Sequence, residues 1–307
     1  MTRAVVFAYH NVGVRCLKAL LGRGVEVALV VTHADNPSET IWFESVAQVA
    51  TNYGIPVIHP DDPNTEAVLA QVQAAQPDFL FSFYYRHMLK APLLAVAPRG
   101  AFNLHGSLLP QYRGRVPVNW AVLRGETETG ATLHVMNEKP DNGAIVDQQA
   151  VPILPDDTAK EVFDKVCVAA ETVLWRSLPS LLAGTARFTA QDLTQGGYFG
   201  GRKPEDGRIN PETSAAVLHN FVRALAQPYP GAFADVAAGR LVIWRTLPLA
   251  PIDHPPLARA TLTAQDGQLV LCCADGHRLH VLAATLNAVP LSAVNFVAQC
   301  GQTTLGL

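Results

Sequence analysis

Short apolar runs alternate with amphipathic stretches through the first third of the chain, and this alternation limits the fold more than any other feature. Residues 4–8, 25–32, 56–58 and 78–83 read as buried strands, and residues 14–21, 41–52 and 65–75 carry the apolar spacing of helices between them. Strands that alternate with helices cross over right-handed and lie parallel, with both sheet faces covered. The expectation is an α/β fold, a Rossmann-like, doubly wound, mostly parallel sheet. Its first turn, Tyr9-His10-Asn11-Val12-Gly13, lacks the glycines of the dinucleotide fingerprint. A nicotinamide or flavin bound in that manner is therefore not expected.

With 307 residues the chain has room for two domains of about 150 residues each. A hydrophobic share of 49% against 16% charged residues excludes a largely disordered chain. The net charge of −3 gives no electrostatic reason to expect nucleic acid or an anionic membrane as the main partner. The apolar run at 4–8 is too short for a leader or a membrane span, so the expectation is a cytoplasmic protein. Five cysteines, Cys16, Cys167, Cys272, Cys273 and Cys300, fit no metal-ligand spacing and read as reduced core fillers. No metal is expected.

The stretch with most chemical content is Asn103-Leu104-His105-Gly106-Ser107-Leu108-Leu109-Pro110. Residues 101–104 read as the end of a buried strand, and in extended backbone the side chains of Asn103 and His105 leave on one face. Ligands of parallel α/β sheets collect at the carboxyl ends of strands, where this pair falls. An imidazole with an unperturbed pKa of about 6.5 accepts and returns a proton near neutrality. An Asn amide N–H donates to an oxyanion. Attack of an amine on a small acyl group needs both, although an Asn at a strand end also serves as a turn former and a lone His as a bystander.

Other segments gather near the same strand ends. Tyr84-Tyr85-Arg86-His87-Met88-Leu89 leaves the fourth strand and either meets a flat heteroaromatic ligand or caps the sheet. Arg113 and Arg115 flank Gly114 just before a helix over 117–123, either as an anion site or as surface residues. A strand over 130–136 leads into the turn Asp141-Asn142-Gly143 and a returning strand over 145–153. From spacing alone Asp141 reads first as a turn residue; if that strand pairs with the His105 strand, it instead orients the imidazole and raises its pKa. Thr158 and Glu161 form a capping box opening a helix to about residue 178. Past the glycine-rich run 191–208 the pattern changes to a helix over 214–225 and short strands at 232–236, 241–244, 258–263, 268–273 and 278–284. Short, evenly spaced strands predict a smaller C-terminal OB-like β-barrel. The domains expected are 1–190, a linker 191–208, and 209–307.

Asn103 to Pro110, with Asp141-Asn142-Gly143-Ala144-Ile145-Val146 downstream, resembles the signature of formyltransferases that use 10-formyltetrahydrofolate. The flanking segments Val5 to His10, Phe81 to His87 and Tyr112 to Arg115 are similar to members that formylate UDP-4-amino-4-deoxy-L-arabinose in lipid A modification and polymyxin resistance. The resemblance implies a general acid/base at His105, an oxyanion donor at Asn103, and Asp141 holding His105. It implies a folate donor bound by His87, Met88, Leu89, Arg115 and the loop of Asn137, Glu138, Lys139, Pro140 and Asp141, and a nucleotide-sugar amine as acceptor. Two features depart from those members. The chain ends at Leu307 without a decarboxylating domain, which implies either a separate protein for that step or another amino sugar. Asn210-Pro211 stands where an acidic residue and Trp are usual.

Methionyl-tRNA formyltransferase shares the donor and the triad, but from Asp206 onward six Arg and no Lys stand against six Asp or Glu. A tRNA-binding domain is expected to be basic. A 10-formyltetrahydrofolate hydrolase would use the same three residues with water as acceptor. A folate- or nucleotide-sugar-binding module would need no general base.

Overall fold

All but the first residue of β1 (Arg3–Ala8) are buried, the continuous apolar run that a strand needs when helices cover both faces of its sheet. The computed structural model describes residues 2–37, 39–251 and 255–307, in two compact units. The first holds residues 1–117, 128–152 and 163–200. After β1 come α1 (His10–Gly22), β2 (Glu26–Val31), α2 (Val46–Asn52), β3 (Val57–Ile58), α3 (Glu66–Ala74), β4 (Phe79–Phe83), α4 (Ala91–Leu94) and β5 (Ala101–His105). The chain continues through β6 (Arg113–Gly114), α5 (Pro117–Arg124), β7 (Glu128–Val135), β8 (Ile145–Pro152), α6 (Ala159–Ala183) and β9 (Tyr198–Phe199).

The main sheet has the order β3-β2-β1-β4-β5-β7-β8. Its first five strands are parallel, and β7 and β8 are each antiparallel to the preceding neighbour. Strand order reverses at β1, which opens a crevice at the carboxyl ends of β1 and β4. Phe7, Phe79, Phe81, Phe83 and Phe102 are fully buried along these strands. The mostly parallel, doubly wound sheet is thus as expected.

Three helices differ from the sequence reading, and the one expected over 14–21 begins at His10. The helix expected over 41–52 starts at Val46, because the Ser45 side chain caps it by accepting the Gln48 N–H at 3.2 Å. Trp42 and Phe43 instead pack against the His10 ring, at 4.5 and 3.9 Å between centroids. Helix α6 runs past Pro179, which has no N–H for the Trp175 carbonyl. Arg23 replaces that donor, with Nη2 at 2.9 Å from the Trp175 oxygen and its guanidinium 3.6 Å from the Trp175 ring centroid. The helix is long and apolar enough to cross a membrane, but its apolar face, including Val166, Ala170, Val173, Leu174 and Leu178, is fully buried in the protein.

The second unit holds residues 118–127, 153–162 and 201–307. Helix α7 (Ala215–Leu225) precedes β10 (Ala232–Val236), β11 (Gly239–Pro248), β12 (Thr261–Gln265), β13 (Gln268–Cys272), β14 (Arg278–Leu286), β15 (Val289–Leu291), α8 (Phe296–Cys300) and β16 (Thr304–Gly306). The strands form an antiparallel, barrel-like sheet ordered β10-β11-β14-β13-β12-β16, with β15 on β14. Arg223 is buried and donates to the carbonyls of Leu154 and Asp157, at 3.3 and 3.0 Å. Asn119 donates to the Ala224 carbonyl.

One buried hydroxyl fixes the loop that leaves β5. Thr132 Oγ1 donates to the Ser107 carbonyl at 2.6 Å, and accepts from the Leu109 N–H at 3.1 Å and the Gln148 amide at 2.9 Å. Thr132→Val keeps the shape and strands these buried partners. It is expected to lower unfolding free energy by about 1–3 kcal/mol, read from the shift in the urea midpoint.

Candidate active site

Strands β5 and β7 pair Asn103 with His134 and His105 with Thr132. Residues directly opposed on antiparallel strands share a face, so Asn103, His105 and His134 converge. Asn103 Nδ2 lies 3.1 Å from His134 Nε2, and His134 Nδ1 lies 2.9 Å from the Val135 carbonyl oxygen. A carbonyl only accepts, so Nδ1 carries the proton of the neutral ring and Nε2 accepts from Asn103. That leaves the second N–H of the Asn103 amide for another acceptor.

The same reasoning sets the His105 tautomer. Nε2 donates to the Tyr112 carbonyl at 2.8 Å, which leaves Nδ1 as the basic atom of the neutral ring. Nδ1 lies 3.5 Å from Asp141 Oδ1, and the same oxygen lies 3.5 Å from His134 Nε2. Asp141 Oδ2 accepts the Gly114 N–H at 2.8 Å. The carboxylate thus joins both rings to the main chain of β6. His105 is only 6% exposed, whereas Asn103 is half-buried, so the face opens on the Asn103 side. Asp141 itself sits at φ 55, a left-handed conformation that Asp tolerates better than most residues. The turn depends on Gly143, where a Cβ would overlap the Val135 carbonyl oxygen.

Burial dominates the His105 titration and pushes its pKa below the ordinary histidine value, against the upward pull of Asp141 and of the bond to Tyr112. Asp141 does pull the His105 pKa up as expected, but desolvation outweighs it and the net shift is downward. For Asp141, burial raises the pKa, but His105, His134 and the Gly114 N–H more than offset it and bring it to about 2. At neutral pH the site holds a neutral imidazole beside an ionised carboxylate.

The other candidate residues divide. The His87 ring is 5.0 Å from that of His33, which stacks on Tyr85 at 4.2 Å. Met88 is exposed, but Leu89 is buried in the core, so only its main chain can meet a ligand. Asn64 pins this segment, donating to the Met88 carbonyl at 3.0 Å and accepting the Lys90 N–H at 2.8 Å. Arg86 is held by Glu39 through two bonds of 2.9 Å. Arg113 is buried and donates to the carbonyls of Leu193 and Gln195 at 3.3 and 3.1 Å, which removes it from any anion site. Arg115 is exposed, and its guanidinium has no ion-pair or hydrogen-bond partner among the described residues. In the following loop, Asn137 accepts the Lys139 N–H at 3.0 Å, Glu138 and Lys139 are exposed, and the Pro140 carbonyl accepts from the Tyr198 hydroxyl at 2.5 Å.

Sequence reasoning missed His134, the Gly114 N–H and the Tyr112 carbonyl. Thr132 and His134, two polar residues at alternate positions of an apolar strand, were a readable signal for the first. The other two are main-chain groups and leave no side-chain signal.

The chain belongs to the formyl transferase family: residues 3–178 match the formyl transferase domain and residues 202–300 the formyl transferase C-terminal domain. It is accordingly an enzyme of formyl transfer. Its fold is similar to that of the N-formyltransferase from Helicobacter canadensis, solved with folinic acid and dTDP-3-aminofucose. That pair has 19% identity over 92% of this chain and 99% of the other, with a TM-score of 0.66. The fold is also similar to a sugar N-formyltransferase from a Shewanella species, at 20% identity over 82% and 99% with a TM-score of 0.65. HypX from Aquifex aeolicus, solved with tetrahydrofolic acid, matches at 16% identity over 96% of this chain and 46% of its own, with a TM-score of 0.64. At these identities the likeness is one of fold.

The lowered His105 pKa fixes a sign for stability. The unfolded chain takes up the histidine proton first, so this contribution is full above the ordinary histidine pKa and is lost as pH falls through it toward the folded value. NMR titration of the His105 ring is expected to give a pKa below the ordinary value, and lower still in Asp141→Asn. A value above it would overturn this account.

Proposed function

We propose that the chain transfers a formyl group from 10-formyltetrahydrofolate to the amine of a nucleotide-linked amino sugar, with Asn103, His105 and Asp141 as the catalytic residues. The observation that carries the reading is the neutral His105 ring, 3.5 Å from an ionised Asp141, on one face with an Asn103 amide that keeps one N–H to donate. The bound ligands of the solved Helicobacter enzyme, folinic acid and dTDP-3-aminofucose, support a folate donor and a sugar nucleotide acceptor.

The free N–H of Asn103 donates to the oxyanion that forms when the acceptor amine attacks the formyl carbon. A preorganised donor of this kind is worth about 10²–10³ in rate. His105 Nδ1 takes the amine proton, and Asp141 stabilises the resulting imidazolium. His105 then returns the proton to the folate nitrogen as its bond to the formyl carbon breaks. The main chain of His87, Met88 and Leu89, the guanidinium of Arg115 and the loop from Asn137 through Glu138, Lys139 and Pro140 to Asp141 hold the donor, with Arg115 suited to its glutamyl carboxylate. Residues 1–190 supply this chemistry in the cytoplasm, apart from 118–127 and 153–162, which fold with the accessory domain of 209–307, and residues 191–208 lead from one to the other.

Among acceptors, UDP-4-amino-4-deoxy-L-arabinose is the first candidate, from the flanking segments that resemble enzymes acting on it. The zero charge balance from Asp206 onward favours a sugar nucleotide over tRNA.

The test is incubation with 10-formyltetrahydrofolate and a panel of nucleotide-linked amino sugars, read by mass gain of one formyl group. Transfer to at least one sugar is expected, with His105→Ala about 10²–10⁴-fold slower. Efficient turnover of methionyl-tRNA, or acceptor-independent formate release, would replace this reading.

A further inference from the structure

The stretch between the two matched family segments, residues 179–201, lies outside both, yet part of it touches the Asp141 turn, β6 and Tyr112. Gln191 donates from Nε2 to the Asp141 carbonyl at 3.0 Å and to the Gly143 carbonyl at 2.7 Å, spanning the turn that sets the carboxylate. Its Oε1 is buried without a partner among the described residues. A buried acceptor left unsatisfied costs stability, so the contact is better explained by where it puts Asp141 than by what it adds to folding. Seven residues on, the Tyr198 hydroxyl donates to the Pro140 carbonyl, on the other side of the same residue.

The strand formed by Tyr198 and Phe199 acts on the opposite partner. β9 pairs with β6 in parallel, so that Arg113 N donates to the Gly197 carbonyl at 3.0 Å and Arg115 N to the Phe199 carbonyl at 2.9 Å. Successive amides of an extended strand point to opposite edges. With the N–H groups of Arg113 and Arg115 turned toward β9, that of Gly114 must face the other way, where it meets Asp141 Oδ2. Phe199 also packs on Tyr112, with ring centroids 4.8 Å apart, and the Tyr112 carbonyl fixes the His105 tautomer. Gly196 lets the segment pass close to Pro110, since a Cβ there would overlap the Pro110 carbonyl.

We propose that Gln191 to Phe199 is a positioning strap for the reaction, in which the Gln191 carboxamide and the Tyr198 hydroxyl hold Asp141 against His105 and the β9 pairing aims the Gly114 N–H at the carboxylate. Gln191 and Tyr198 are positioning residues that touch neither substrate. The proposal rests on the catalytic roles given above to His105 and Asp141.

Gln191→Leu and Gln191→Met each remove both donors at similar size without adding charge, and Tyr198→Phe removes one exposed hydroxyl. Each is measured for kcat, acceptor KM and the NMR titration of the His105 ring in the protein alone. Loosening Asp141 removes its upward pull on His105. Both Gln191 variants should therefore titrate His105 at lower pH and lose about 10- to 100-fold in kcat, the range for a misplaced catalytic group, with little change in KM. Tyr198→Phe should move both readouts in the same direction by less. A fall in kcat without movement of the His105 titration would overturn the proposal. So would an unmoved titration in Tyr198→Phe if the Gln191 variants fail to fold. Because the titration needs no substrate, absence of formyl transfer in the unaltered protein would strike the assigned reaction and leave this test in force.

Discussion

The Asp141 carboxylate is the demand around which the first unit is arranged. Taking an ionised carboxylate out of water costs several kcal/mol even after relaxation, and a single hydrogen bond to a charged group returns about 1.5–3 kcal/mol. One partner is too few. Here one oxygen accepts a main-chain N–H and the other faces a ring nitrogen of His105 and of His134, which favour the ionised carboxylate when they carry a proton, and its pKa is drawn down to about 2. Holding those partners in place calls for positive φ at Tyr112, Val116 and Asp141. Such conformations cost about 1–3 kcal/mol each and collect where function over-determines the backbone.

That arrangement also explains why His105 suits a base. An imidazole brought alongside a carboxylate in water would be pulled toward its charged form and hold its proton at neutrality. Burial reverses the balance, so the ring is neutral and receptive, while the carboxylate waits to stabilise it once a proton arrives. The field of Asp141 is thus felt most in the protonated state, which in the proposed reaction is passed through during turnover rather than at rest.

Much of this was legible beforehand. The apolar runs at β1, β2 and β4 predicted a parallel sheet because no other arrangement hides both faces, and Asn103 and His105 fell on one face because strands have period two. The β7 strand and the turn at Asp141 followed from alternation and from Asn142-Gly143. What could not be read was carried by main-chain groups or by competition between forces. Nothing in Arg113 and Arg115 tells which guanidinium is buried, since that depends on carbonyls about 80 residues later, at Leu193 and Gln195. The direction of the His105 shift needed the depth of burial, which a sequence does not state. The run 191–208 read as a linker because its glycines mark turns. One of them, Gly196, lets the chain pass close to Pro110 in the loop after β5.

The path of the chain has a last consequence. It passes from one unit to the other at residues 118, 128, 153, 163 and 201, so neither unit is a continuous piece of polypeptide. A gene divided in the glycine-rich run would leave 118–127 and 153–162 on the wrong fragment, away from Ala224 and from the Arg223 guanidinium that binds them. A C-terminal module exchanged at that run would have to fit both of these stretches as its own.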